Sequence, residues 1–144
     1  MTTQVVYDQI KALIVAAVDP IPVLDWEQTD PDFGQGEGPY VAVEDNGAVE
    51  EGVSIGAPTA NWIRADGEIL AHVIFPSSGS LAAGRQIGET IKAVLRYQTI
   101  NLGVDGSVRT VATIGPDSGD IHSGLWHSVL ITILFEYNYT AATV

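Results

Sequence analysis

The chain has no cysteine among its 144 residues. That excludes disulfides, thiolate zinc sites and a cysteine nucleophile, and it fits a reducing compartment. Bases are scarce, 6 against 18 acids, for a net charge of -12. A chain so charged does not wrap nucleic acid through phosphate contacts, which need Lys and Arg. No stretch reaches the ~20 apolar residues of a membrane helix. The longest apolar run, near the C-terminus, is interrupted by Ser128, Thr132 and Glu136. The opening residues Met-Thr-Thr-Gln have no basic region followed by an apolar run, so no secretory signal is expected.

What is present is apolar enough to fold. Hydrophobic residues make up 46% of the chain, sufficient for one core. The length suits one domain spanning 1–144. The acids are unevenly placed. Lys11 is the only base before Arg64, and ten acids (19, 25, 27, 30, 32, 37, 44, 45, 50 and 51) fall between Asp19 and Glu51 with no base among them. The plain reading of this run is solubility. The functional reading is a surface that repels something negative.

Periodicity predicts a helix over 3–18, with Val6, Ile10, Leu13, Ile14 and Ala17 forming one apolar stripe. Asp19-Pro20 ends it, because proline disfavours a helical residue before it. Val23 to Trp26 is a short apolar run with strand character, and the stretch 27–39, rich in Gly, Asp and Pro, reads as a loop. Tyr40 to Glu44 reads as a strand. Asp45-Asn46-Gly47 then predicts a hairpin, with Val49 to Ile55 returning. Trp62 to Phe75 is one strand, or two joined at Asp66-Gly67. Ser80 is an N-cap candidate for a second helix reaching about Tyr97. Its buried stripe would be Leu81, Gly84, Ile87, Gly88, Ile91, Val94 and Leu95, and two glycines there imply a packing reason, since each costs about 1 kcal/mol in a helix. Asp105-Gly106 is a turn, Val108 to Ile114 alternates as a strand, and Gly115 to Asp120 reads as another turn. Leu125 to Tyr139 is the last and longest strand. At ~3.4 Å per residue it would span about 50 Å, so either a bulge bends it or part of it meets another subunit. The expected class is α+β, a largely antiparallel sheet with two main helices on one face and a long C-terminal strand.

No catalytic or metal-binding constellation emerges. His72, His122 and His127 lack metal-ligand spacing. Ser77-Ser78-Gly79-Ser80 lacks the glycines of a nucleophile elbow. Gly34-Gln35-Gly36-Glu37-Gly38 lacks the lysine and following helix of a phosphate loop. Asp117-Ser118-Gly119-Asp120 falls short of a calcium loop. Carboxylate pairs are abundant, but none stands out against an apolar wall. The expectation is therefore no catalytic residue, no metal, no cofactor and no enzyme activity.

The strand ending in Phe75-Pro76 with its Ser/Gly turn, the Ala/Gly-rich helix Leu81 to Tyr97, the turn Gly115-Pro116-Asp117 and the closing strand Gly124-Leu125-Trp126 through Phe135-Glu136-Tyr137 form a pattern. The N-terminal helix followed by Pro20-Ile21-Pro22-Val23 and the acidic loop extends it. The chain so read resembles the tail terminator (tail completion) proteins, minor tail proteins of long-tailed bacteriophages. The resemblance implies a homo-oligomeric ring, commonly a hexamer, that caps the tail tube, ends its polymerisation and offers the head an attachment surface. It implies self, the tail tube protein and head–tail connector or neck proteins as partners, no membrane, and DNA that passes through without specific binding. It places the protein in the virion tail, and in the host cytoplasm during assembly.

On that reading, Asp25, Glu27, Asp30, Asp32, Glu37, Glu44, Asp45, Glu50 and Glu51 are candidates to line the lumen and repel phosphates. Arg64, Arg85, Lys92, Arg96 and Arg109 are candidates for subunit contacts, with balancing of local acids as the alternative. Trp62 and Trp126 join them because tryptophan is enriched at hot spots, with core packing as the alternative. A neck or head-completion protein, a tail tube subunit and a small-ligand-binding module are the competing functions.

Overall fold

A computed structural model describes residues 4–26, 38–52, 61–76, 81–121 and 126–141. Helix α1 (Gln4–Val18) leads into β1 (Val23–Asp25), β2 (Tyr40–Gly52) and β3 (Asn61–Pro76). Helix α2 (Leu81–Leu95) then precedes β4 (Gln98–Asn101), β5 (Ser107–Ile121) and β6 (Trp126–Ala141). The strands form one six-stranded sheet in the order β1-β2-β3-β6-β5-β4. Only β1 runs parallel to its neighbour, and the other pairings are antiparallel. This is the expected α+β class.

Each helix forms because one stripe of its surface is apolar. Val6, Tyr7, Ile10, Ile14 and Val18 are buried on α1, with Leu13 and Ala17 half-buried beside them. On β6, Val129, Ile131, Ile133, Phe135, Tyr137 and Tyr139 all face the same core. Strand alternation puts them on one side of the sheet. The same core takes Ile69, Ala71, Val73 and Phe75 of β3 and Val108 and Ala112 of β5. Both helices therefore lie on one face of the sheet; the other face is bare of helices among the described residues, though Tyr40, Ala42 and Ile74 form a small buried cluster on it.

The α2 glycines have the packing role their placement implies. A Cβ on Gly84 would collide with the buried Phe75 ring. One on Gly88 would stand 3.1 Å from Ile114 Cδ1 and 3.2 Å from Ile131 Cδ1. The C-terminus of α2 is closed by Tyr97 at φ 54 and by the buried Thr110 hydroxyl, which donates to the Leu95 carbonyl at 2.6 Å. Helix α2 thus ends two residues earlier than periodicity suggests, and Gln98 onward turns into an unforeseen edge strand. The Asp105-Gly106 turn joins β4 to β5 as expected, with Gly106 at φ 106.

Two expected turns are not turns. At Asn46-Gly47 the chain does not fold back. Strand β2 continues and pairs with β3 on both sides of a bulge between Asp45 and Ala48. Gly47, at φ 90, supplies the left-handed residue such a bulge needs, and its amide donates to Asp45 Oδ1 at 3.0 Å. The Val53 to Ile55 part of the expected returning strand lies outside the described residues. Gly115 to Asp120 likewise stays in β5, absorbed by register shifts between Ile114 and Asp117 and between Ser118 and Ile121. Strand β3 is single and unbroken through Asp66-Gly67, where the Phe135 ring fills the space a side chain would take. Strand β6 pairs with β3 over all of its 16 residues without a shift, so its length is accommodated within its own chain.

The contrast between the two helix glycines is testable by urea unfolding. Gly84→Ala is expected to destabilise by about 1–3 kcal/mol, because the methyl overpacks against Phe75. Gly88→Ala is expected to stay within about 1 kcal/mol of the parent, because mild crowding offsets the gain in helix propensity. Equal midpoints for the two variants would contradict this packing.

Candidate assembly surface

The acids proposed for a lumen divide into three groups. Glu27, Asp30, Asp32 and Glu37 lie outside the described residues. Asp25 is engaged within the fold. Lys11 Nζ donates to its Oδ1 at 2.8 Å, and the Tyr7 hydroxyl donates to the same carboxylate. The hydrogen bond from Lys11 first, then that from Tyr7, holds the Asp25 carboxyl below its ordinary range. A cleft of about 170 Å³ beside it is lined by Gln4, Tyr7, Asp25, Val43 and Asp45, with Tyr7 and Asp25 turned on each other.

The remaining acids, Glu44, Asp45, Glu50 and Glu51, stand on β2. The sheet register places them on both faces. Glu44 faces the bare side, where Glu44 Oε1 lies 3.0 Å from His72 Nε2 and Trp26 stacks on the His72 ring at 4.3 Å. Glu51 shares that face and pairs with Arg64, whose Nε donates to Asp66 at 3.1 Å. Glu50 faces the helix side and accepts from the Tyr139 hydroxyl at 2.7 Å. Burial first, and then that carboxylate, pushes the Tyr139 hydroxyl up to about 12. Arg64 thus spends its charge inside its own chain.

The other candidate bases lie away from β2 in the chain, three of them on or just after a helix that packs over β3, β5 and β6. Arg85, Lys92 and Arg96 ride on or just beyond α2, and Arg109 stands on the bare face of β5. Arg96 also lies over the exposed Tyr97 ring, 5.7 Å from its centroid. Trp62 is 50% exposed on the bare face of β3, and only the backbone of Trp126 is described. His127 turns into the core face against Phe75, as strand parity predicts, and His122 lies outside the described residues. Among the described residues no three His, Asp or Glu side chains gather as a metal site. No helix among them is long and apolar enough to cross a membrane.

The pairings of Glu44 with His72, Tyr139 with Glu50 and Lys11 with Asp25 were not foreseen. Each joins residues far apart in sequence, and only the strand register and the seat of α1 bring them together.

No protein-family model matches the chain, and no curated protein matches it. Solved structures do. A chain in the virion of a native gene transfer agent particle superimposes with a TM-score of 0.67 at 16% identity, covering 95% of this chain and 95% of that one. A second solved chain superimposes with a TM-score of 0.57 at 17% identity, covering 93% and 92%. The fold is therefore shared nearly end to end.

The Lys11–Asp25 pair makes a pH prediction. Because the Asp25 pKa is depressed on folding, its stabilisation is complete above the ordinary carboxylate range and is lost as pH falls through the folded value. Lys11→Met is expected to cost about 1 kcal/mol at about pH 7, discounted for partial exposure. The gap should narrow in acid, as pH falls through the depressed folded value and Asp25 becomes protonated. Urea unfolding at neutral pH and along an acid series checks this, and a gap that does not change would refute it.

Proposed function

We propose that the chain is a structural virion protein of tail terminator type. On the resemblance to tail terminators it forms a closed ring of about six copies that caps the tail tube, ends its polymerisation and presents the head-attachment surface. The observation that carries this reading is the near-complete superposition on a chain of a gene transfer agent virion. The charge layout supports it. Glu44, Asp45, Glu50 and Glu51 stand on β2 near one edge of the sheet, while Arg96 and Arg109 stand next to β4 at the other, which suits head-to-tail contact between identical copies. A net charge of -12 suits a channel through which DNA slides without sticking. On this reading the protein acts in the virion tail and assembles in the host cytoplasm without catalysis or cofactor. Its partners are itself, the tube protein and a connector or neck protein.

A tail tube subunit is the nearest competitor, and it differs in one physical respect. A tube subunit stacks without limit, whereas a terminator closes after one ring. Light scattering over a range of protein and salt concentrations, with and without added tail tubes, separates them. The expected result is a discrete ring of about six copies whose formation weakens with salt. Open-ended polymers would assign the chain to the tube, and a strict monomer even on tube ends would refute the ring.

A further inference from the structure

We propose that neighbouring copies in this ring join edge to edge, with β4 of one copy lying parallel to Ala48–Gly52 of β2 in the next. The proposal rests on the ring reading and specifies its interface.

Both edges are open among the described residues. Strand β1 covers β2 only at Val41–Val43, leaving β2 without an outer strand from Glu44 onward. Strand β4 pairs with β5 on one side and with no strand on the other. The directions agree. Reversing at each antiparallel step from β2 through β3, β6 and β5 brings β4 back to the direction of β2. A neighbour's β4 would therefore continue the line of β1, in the parallel sense that β2 already accepts from β1.

The heights agree as well. Following the register across the sheet, Gln98 stands in the row of Thr110, Phe135, Gly67 and Ala48. Asn101 stands in the row of Ser107, Asn138, Arg64 and Glu51. The residues of β4 thus occupy the same rows as Ala48–Glu51, the rows that β1 leaves uncovered. Copies related by rotation about an axis along the strands meet at equal height, so these edges face each other without a vertical slip.

Charge selects this pairing over like with like. The open half of β2 carries Glu51 on the bare face and Glu50 on the helix face, so two β2 edges repel. Strand β4 itself has no charge. Beside it on the bare face stands Arg109, with Glu136 across from it on β6, and Arg96 lies two residues before its start. Lys92, Arg96 and Arg109 form no ion pair within the described residues, although acids outnumber bases 18 to 6. An acidic edge acting as its own guard against indiscriminate pairing is released by a cationic one.

The cysteine-free sequence provides a clean test. Thr99 and Val49 are exposed, share the bare face and lie in one row. The variant carrying both Thr99→Cys and Val49→Cys is oxidised mildly at concentrations where light scattering shows the ring. It is expected to give a reductant-sensitive ladder of covalent multimers on a denaturing gel, whereas each single variant stops at dimers. A ring without the ladder would overturn the edge pairing and leave the ring reading intact. A ladder from Thr113→Cys with Val49→Cys in its place would assign the contact to the lower edge of β5 and overturn it too. A strict monomer would overturn both.

Discussion

Strands β3 and β6 pair over the full 16 residues of each without a register shift, and the rest of the molecule is arranged on that ladder. Because side chains alternate, one unbroken register commits Ile69, Ala71, Val73, Ile131, Ile133 and Tyr137 to the same face. That face is the floor on which both helices sit. A slip of one residue would turn every one of these side chains toward water. The register shifts fall in the β2–β3 and β5–β6 pairings instead.

The same ladder sets the electrostatics. By holding β2 on one flank and β5 with β4 on the other, it separates Arg96 and Arg109 from the acids of β2. A strongly acidic chain with bases to spare at one edge is poorly neutralised as a single copy. On the proposed reading, a neighbour supplies the missing half. The proposed ring would then be held by contacts that salt weakens, while the excess of negative charge stays available to the channel.

Much of the fold was legible from local patterns. The α1 stripe, the packing role of the α2 glycines and the long last strand follow from periods that sterics impose on any chain. The two misread turns have one cause. Asn46-Gly47 and Gly115-Pro116 carry turn chemistry, and an isolated segment would fold back there. In the protein, β3 and β6 offer partners on both sides of each site, so the ladder continues and the extra residue becomes a bulge. Strand β4 escaped notice because Gln98–Asn101 has only one half-buried residue, Ile100, to mark it. The acids of the candidate surface were visible as a run. Their division into Asp25, tied to Lys11, and Glu50 and Glu51, on opposite faces of an open edge, was not.

The amino-acid sequence by itself determined the class of fold, the excess of acid and the absence of thiol chemistry, because composition and periodicity act locally. Only the tertiary structure decided which strand edges stay open, which charges neutralise one another and which stand unpaired. Those properties depend on which residues meet across strands and helices, and residues such as Tyr139 and Glu50, 89 positions apart, meet only when the whole sheet has formed.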